Sequence, residues 1–369
     1  METPFPAGLA EGKAFCDRNN ERANLKENID GLNHTVLVAP RRYGKSSLVK
    51  KVIHEITVKY AWIDFLAATS QKQVEEKIAH AVGTLIYQLA PDLKKLKMSF
   101  QKFFKSLNPD LVIHTLGSSL TLHPNFEKML NIEEALMGLD RYAQELKIKA
   151  VIVFDEFQQI SLLKEHQTIE ASIRHAVERS KAITYIFSGS NRRLLTSMFS
   201  GSDRPLYKLC LSMPLDRIPE EDYRKFIQKS AQEMWHHPLS DEVFAAIINN
   251  TERHPFYVNG LCNKLWKQKK RPTLNDVKNA WDWYVRMNRA TIVADIIDLS
   301  TNQKKIVLAL AANPTQEILS KNFSDLCGTS ISSIQQATDV LLSKDIIFTD
   351  EQGYYKVLDP AVRYYLLVS

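Results

Sequence analysis

The chain has 369 residues, a net charge of +6, and 44% hydrophobic and 24% charged residues. That length exceeds the roughly 250–300 residues at which one core stops growing, so two or three cores are expected. The composition is that of an ordinary soluble globular protein, and the charge is too mild to call for nucleic acid or a membrane by itself. Cys16, Cys210, Cys262 and Cys327 show no CxxC spacing, so neither a disulfide framework nor a zinc site is indicated. The opening METPFPAGLAEGKAF lacks a basic stretch before an apolar run, and no segment approaches ~18 consecutive apolar residues; neither a signal peptide nor a membrane span is expected. The expectation is a reduced, cytoplasmic protein.

Along the first half, short apolar runs fall at 34–39 (HTVLVA), 60–66 (YAWIDFL), 149–156 (KAVIVFDE), 183–189 (ITYIFSG) and 207–213 (YKLCLSM). Runs without polar alternation fit strands buried on both faces of a parallel sheet. An insertion over about 67–130 separates the second run from the third. It predicts helices at about 70–90 and 91–106, then a hairpin turning near Gly117. After residue 216 the strands stop. PEEDYRKFIQKSAQEM, SDEVFAAIINN, PFYVNGLCNKLWKQ and the long TLNDVKNAWDWYVRMNRATIVADII read as helices, each opening with a proline or a capping residue. Trp281 and Trp283, at i and i+2, cannot share one helix face and read as core and interdomain packing. From residue 299, three helices and a hairpin around Glu351-Gln352-Gly353 make a winged helix. Three domains are therefore expected: 1–216, 217–298 and 299–369.

Chemistry concentrates at the strand ends. The segment Ala39-Pro-Arg-Arg-Tyr-Gly44-Lys45-Ser46 matches G-x-x-x-x-G-K-[ST] at every defined position except the first. It follows an apolar strand and precedes the helical SLVKKVIHEI, which is the context a phosphate-gripping loop requires. Gly44 allows the closest backbone approach, and amides from about Tyr43 to Ser47 would point at phosphate from a helix N-terminus. Lys45 would bridge the terminal phosphates and Ser46 would ligate Mg²⁺. At the end of AVIVFDE, Asp155 would hold the metal shell and Glu156 would deprotonate the attacking water. Ser188, Ser190 and Asn191, off another strand end, are candidates to contact the γ-phosphate or that water; Ser190 and Asn191 are favoured, with no choice between them. Arg192, Arg193 and Arg204 follow, one of which would act on a neighbouring subunit's nucleotide.

With these motifs in order, the chain resembles the AAA+/STAND branch of P-loop ATPases, and within it the archaeal ATPase family. FCDRNNERANL (15–25) looks like that family's F-x-x-R-x-x-E-x-x-x-L box. The resemblance implies that Phe15, Arg18 and Glu21 lie near the adenine. NTERHPFYVNGLCNKLW is similar to the G-H-P-x-Y segment with which the lid reaches the nucleotide, implying contacts from His254 and Pro255, although Arg253 replaces the usual glycine. Arg42, Tyr43 and Ser47 join the nucleotide set through the loop. The implied fold is an α/β P-loop NTPase sheet of order 5-1-4-3-2 with a helical lid and a C-terminal winged helix.

The leading functional expectation is a Mg²⁺-dependent ATPase whose hydrolysis drives a conformational switch between core, lid and winged helix. The runner-up is an ATP-regulated DNA-binding protein resembling origin-recognition or transposition-associated AAA+ proteins. A third is a degenerate ATPase using nucleotide as a prop, opposed by retention of Lys45, Ser46, Asp155 and Glu156. Expected partners are ATP or ADP, a homo-oligomer, and a protein contacted through the winged helix. Duplex DNA is expected to bind weakly, because SISSIQQATDVLLSKD carries Lys344 as its only cation.

Overall fold

The computed structural model describes residues 4–16, 18–90, 110–113, 120–123 and 131–368. The chain divides into two compact units. One comprises Asn19–Arg41 and Leu48–Leu215; the other comprises Met1–Arg18, Arg42–Ser47 and Asp216–Ser369.

The elements up to residue 215 are α1 (Asn19–Asp30), β1 (Thr35–Val38), α2 (Lys45–Ile56), β2 (Lys59–Asp64), α3 (Gln71–Leu89), β3 (Asp110–Ile113), β4 (Leu120–His123), α4 (Ile132–Leu146), β5 (Ala150–Asp155), α5 (His166–Glu178), β6 (Ile183–Gly189), α6 (Arg192–Ser200) and β7 (Leu211–Pro214). The main sheet has the order β2-β5-β6-β1-β7, and every neighbouring pair is parallel. Numbered along the chain and read from the β7 edge, that order is 5-1-4-3-2, as the resemblance implied. β5 is buried through Phe154 and β6 throughout, which explains the unbroken apolar runs in the sequence. The last strand is shorter than its apolar run: residues 207–210 lie in turns and pairing begins only at Leu211.

One buried carboxylate sets the start of β6. Asp140 on α4 is 4% exposed and accepts from the backbone amides of Lys181, Ala182 and Ile183 and from the Ser180 hydroxyl. A buried charge of this kind is tolerated because its lone pairs are met by donors. In the insertion, β3 and β4 pair antiparallel from Asp110↔His123 to Ile113↔Leu120. The helix expected at 91–106 and the turn at Gly117 lie outside the described residues.

The remaining elements are α7 (Glu220–Trp235), α8 (Asp241–Thr251), α9 (Pro255–Leu265), α10 (Leu274–Met287), α11 (Arg289–Ile297), α12 (Thr301–Ala312), α13 (Lys321–Cys327), α14 (Ile331–Ser343), β8 (Ile347–Thr349), β9 (Tyr355–Val357) and α15 (Pro360–Val368). The caps read from sequence are in place. Ser240, Ser320 and Ser330 each accept from a first-turn amide, and Thr273 and Ser300 close full capping boxes with Asp276 and Gln303. The long helix expected over 273–297 is broken at Asn288. Its side-chain amide donates to the Tyr284 carbonyl at 2.8 Å, which also accepts from the Asn288 backbone amide at 3.1 Å. Trp281 is in the core at 1% exposure, but Trp283 is 44% exposed, with the Lys264 ammonium 3.8 Å above its ring. One hydrophobic core runs from α7 through α10 into the winged helix and α15, through residues such as Tyr223, Phe244, Trp281, Ile306, Leu310 and Leu341. All four cysteines are free thiols, and no helix among the described residues is long and apolar enough to cross a membrane.

Candidate functional site

β1, β5 and β6 are parallel neighbours, so their carboxyl ends share one edge of the sheet, the edge where ligands of open α/β sheets collect. The loop after β1 takes two left-handed residues, Arg42 at φ +64 and Gly44 at φ +87. No heavy atom lies within 4 Å of where a Gly44 Cβ would stand, so conformation rather than crowding calls for glycine here. Arg42 holds its strained conformation without that freedom, as loops at functional sites do. α2 begins at Lys45, and a helix start leaves its first amides without intrahelical partners, aimed at an anion. Lys45 and Ser47 are both 7% exposed; the Ser47 hydroxyl accepts from the Ala10 amide at 3.1 Å.

A second group occupies the ends of β5 and β6. The Ser188 hydroxyl donates to Asp155 Oδ1 at 2.5 Å, and the same oxygen accepts from the Glu156 amide at 3.1 Å. Glu156 is left-handed, φ 50 and ψ 38, and starts the 3₁₀ turn Phe157–Leu162. Its Oε2 accepts from Gln158 Nε2 at 2.6 Å and from Ser190 Oγ at 2.8 Å. Arg41 Nε donates to Ser190 Oγ at 3.1 Å, completing the chain from the P-loop arginine to the carboxylate. Asn191 does different work: its Oδ1 accepts from the Leu194 amide and caps α6. Of the two favoured polar candidates, Ser190 is the one brought to Glu156.

The third group surrounds the loop residues Arg42 and Tyr43 and belongs to the unit holding the helices. Arg18, 3% exposed, donates to the carbonyls of Tyr43 and Asp216 at 2.9 and 2.8 Å. Its guanidinium braces the loop backbone; Phe15 is half-buried. The Tyr43 ring packs edge-on against His254, centroids 4.8 Å apart, and Arg42 lies over Phe256 at 4.2 Å. His254 precedes Pro255, the first residue of α9. Burial, with Arg217 and Arg42 adding, pushes its pKa down to about 3, so the imidazole is neutral at physiological pH. Its Nδ1 is buried without a partner among the described residues. Arg253, where the resembled segment has glycine, keeps the left-handed conformation at φ 61.

Arg217 links this group to the winged helix. It donates to the Tyr43 hydroxyl at 3.3 Å, to Glu252 Oε2 at 2.8 Å and to the Leu358 carbonyl at 2.7 Å. Glu252 also pairs with Arg363 at 3.0 Å, and the Tyr257 hydroxyl donates to Asp359 at 2.5 Å. Neither Arg217 nor Gln158 was singled out from sequence. Gln158 had a faint signal as a polar residue two positions after an acidic strand end; Arg217 had none, because its partners lie up to 174 residues away.

Arg204, expected to reach a neighbour's nucleotide, forms a two-pronged ion pair with Glu170, whose side chain is fully buried. Freeing the guanidinium would strand that carboxylate. Arg193, by contrast, is exposed on the first turn of α6.

Fold and loop together define the class: a P-loop NTPase fold with a C-terminal winged helix. Residues 294–367 match the family described as "Probable winged helix domain". Among solved structures, the chain is similar to a Walker-type ATPase of Pyrococcus abyssi, at 18% identity and a TM-score of 0.72, covering 99% of this chain and 100% of that one. It is also similar to the ORC2 protein of Aeropyrum pernix, at 12% identity and a TM-score of 0.57, covering 98% and 97%. No curated protein sequence matches the chain.

Proposed function

We propose that the protein binds ATP with Mg²⁺ and hydrolyses it to change the state of its helical and winged-helix unit. The observation that carries the reading is the Arg41–Ser190–Glu156 chain of hydrogen bonds at the carboxyl edge of the sheet. It joins the phosphate loop to a carboxylate able to accept a proton. The residues fit a nucleoside triphosphate: a left-handed Gly44 with open space beside it, a helix start at Lys45, and hard oxygen donors in Ser46 and Asp155 of the kind Mg²⁺ prefers. The bound nucleotide would supply the phosphoryl group and the cation its charge neutralisation. Lys45 would hold the terminal phosphates, and Ser46 and Asp155 would supply oxygen donors for the ion. Glu156 orients the attacking water and takes its proton. The ORC2 structure, described as ADPNP-ADP complexes, lends support from a shared fold.

The switching half of the reading rests on the Tyr43–Arg217–Leu358 path, which ties the phosphate loop to the winged helix within one compact unit. ATP should therefore slow hydrogen exchange over residues 347–368 of the wild type relative to ADP. Tyr43→Phe, which removes only the hydroxyl that accepts from Arg217, should keep ATP binding and lose at least half of that difference. Identical exchange in the ATP and ADP states of the wild type would reject the switch.

Duplex DNA should bind the full-length protein no tighter than ~10⁻⁵ M at physiological salt, the non-specific range. On α14 the exposed face offers Ile331, Ser332, Gln335, Gln336, Asp339 and Val340, with no cation. Lys304 and Lys305 donate to the carbonyls of Ile297 and Gly328, and Lys356 pairs with Asp350 at 2.6 Å. A submicromolar, sequence-dependent affinity with a steep salt slope would put DNA binding ahead of the protein-partner reading.

A further inference from the structure

We propose that Gln158 is a positioning residue for Glu156, and that Gly189 exists to make room for it. The proposal rests on the hydrolytic reading above. Glu156 presents two oxygens, and they differ. Oε2 accepts from Gln158 Nε2 at 2.6 Å and from Ser190 Oγ at 2.8 Å. Oε1 accepts no hydrogen bond among the described residues, on a side chain that is half-exposed. A carboxylate tethered by one oxygen and open at the other has its free lone pairs aimed at one place, which is what a general base acting on a single water needs.

Gln158 is well fitted to hold that tether. It is 2% exposed and sits between two anchors, Phe157 and Ile160, both fully buried. Phe157 packs on Phe187 and Phe154 with centroids 4.8 and 5.7 Å apart, and the Ser161 hydroxyl donates back to the Gln158 carbonyl at 2.8 Å. The amide orientation follows from chemistry: an ionised carboxylate only accepts, so the NH₂ group must face Glu156. That leaves Gln158 Oε1 buried without a partner among the described residues. An orphaned buried acceptor costs free energy, and a methionine of the same length would fill the space without that cost. The donor is therefore what the position supplies. The orphan oxygen points at Gly189, the last residue of β6, where a Cβ would overlap Oε1 and stand 3.0 Å from Cδ. Gly189 has no positive φ; its missing side chain is needed for space, not for conformation. Any larger residue there would push Gln158 off Glu156.

Three variants of the full-length protein test this. Gln158→Met, which keeps the volume and removes the donor, should lower kcat for ATP about tenfold, the size expected for one lost hydrogen bond to a charged group. The ATP dissociation constant by titration should stay within about twofold. Gly189→Ala should reproduce that kcat loss and lower the nucleotide-free unfolding midpoint by about 5 °C through overpacking. In a Gln158→Ala background, where the clash has no object, Gly189→Ala should cost less than half as much by either measure. Unchanged turnover in Gln158→Met, an ATP affinity that falls as far as kcat does, or additive costs for the two positions would each overturn the proposal. If the wild type shows no turnover sensitive to Glu156→Gln, the hydrolytic reading fails and takes the positioning role with it. The nucleotide-free stability cycle would still register the Gln158–Gly189 contact, so the two failures are told apart.

Discussion

Glu156→Gln should bind ATP within about twofold of the wild type and lose turnover by about 10²-fold or more, while Lys45→Ala should lose binding itself. The two substitutions separate because the side chains meet different species. On the proposed reading, Lys45 would face phosphate in the ground state as well as the transition state, so its loss should appear in a nucleotide titration. Glu156 would face water, and a glutamine there keeps the shape and can still sit beside Ser190. It cannot take a proton. The new amide can place its carbonyl oxygen where Glu156 Oε2 stood, still accepting from Gln158 Nε2 and Ser190 Oγ, and turn its NH₂ group toward the water. The change is local, since Gln158 is held in the 3₁₀ turn and Ser190 directly follows β6. Turnover and binding lost together in Glu156→Gln, with the protein folded, would remove Glu156 from the base role.

The parts of this molecule that were legible in the sequence share a physical property: their signal is local. The central strands β1, β5 and β6 announce themselves because burial on both faces demands unbroken apolar runs, and the helix starts because Ser240, Thr273, Ser300 and Ser330 cap within three residues. Gly44 is legible because a left-handed turn before Lys45 calls for glycine. What could not be read depends on distant partners. The break at Asn288 needs a side chain that prefers the Tyr284 carbonyl to solvent, and the same run would pass as one helix on periodicity alone. α15 was missed because PAVRYYLLV is as apolar as a strand, and only its place in the core with α12 makes it a helix. Arg204 followed the strand-end serines and looked like a nucleotide contact, since nothing local reveals that Glu170, 34 residues earlier, is buried and waiting for it.

That pair carries the second large expected effect. Arg204→Met should destabilise the folded protein by about 3 kcal/mol near neutral pH, in the range for removing one partner of a buried ion pair. The cost comes from Glu170, whose side chain is fully buried while that of Arg204 is 18% exposed. Burial holds the Glu170 carboxyl above its ordinary pKa, with Arg204 and then His166 opposing that shift. A carboxyl whose folded pKa is raised binds its proton more readily folded than unfolded. Its favourable contribution is therefore complete below the unfolded value and lost as pH rises through the folded one. Removing Arg204 takes away the larger opposing cation and raises the folded value further. The deficit of the variant should thus be greatest near pH 7.5 and shrink as pH falls toward 5, measured by denaturant unfolding of the full chain. Replacing both partners, Glu170→Leu with Arg204→Met, should recover most of the loss, because no charge is then left stranded. Turnover per folded molecule should be nearly unchanged in Arg204→Met. A variant of normal stability with turnover reduced tenfold or more would return Arg204 to the nucleotide of a neighbouring subunit.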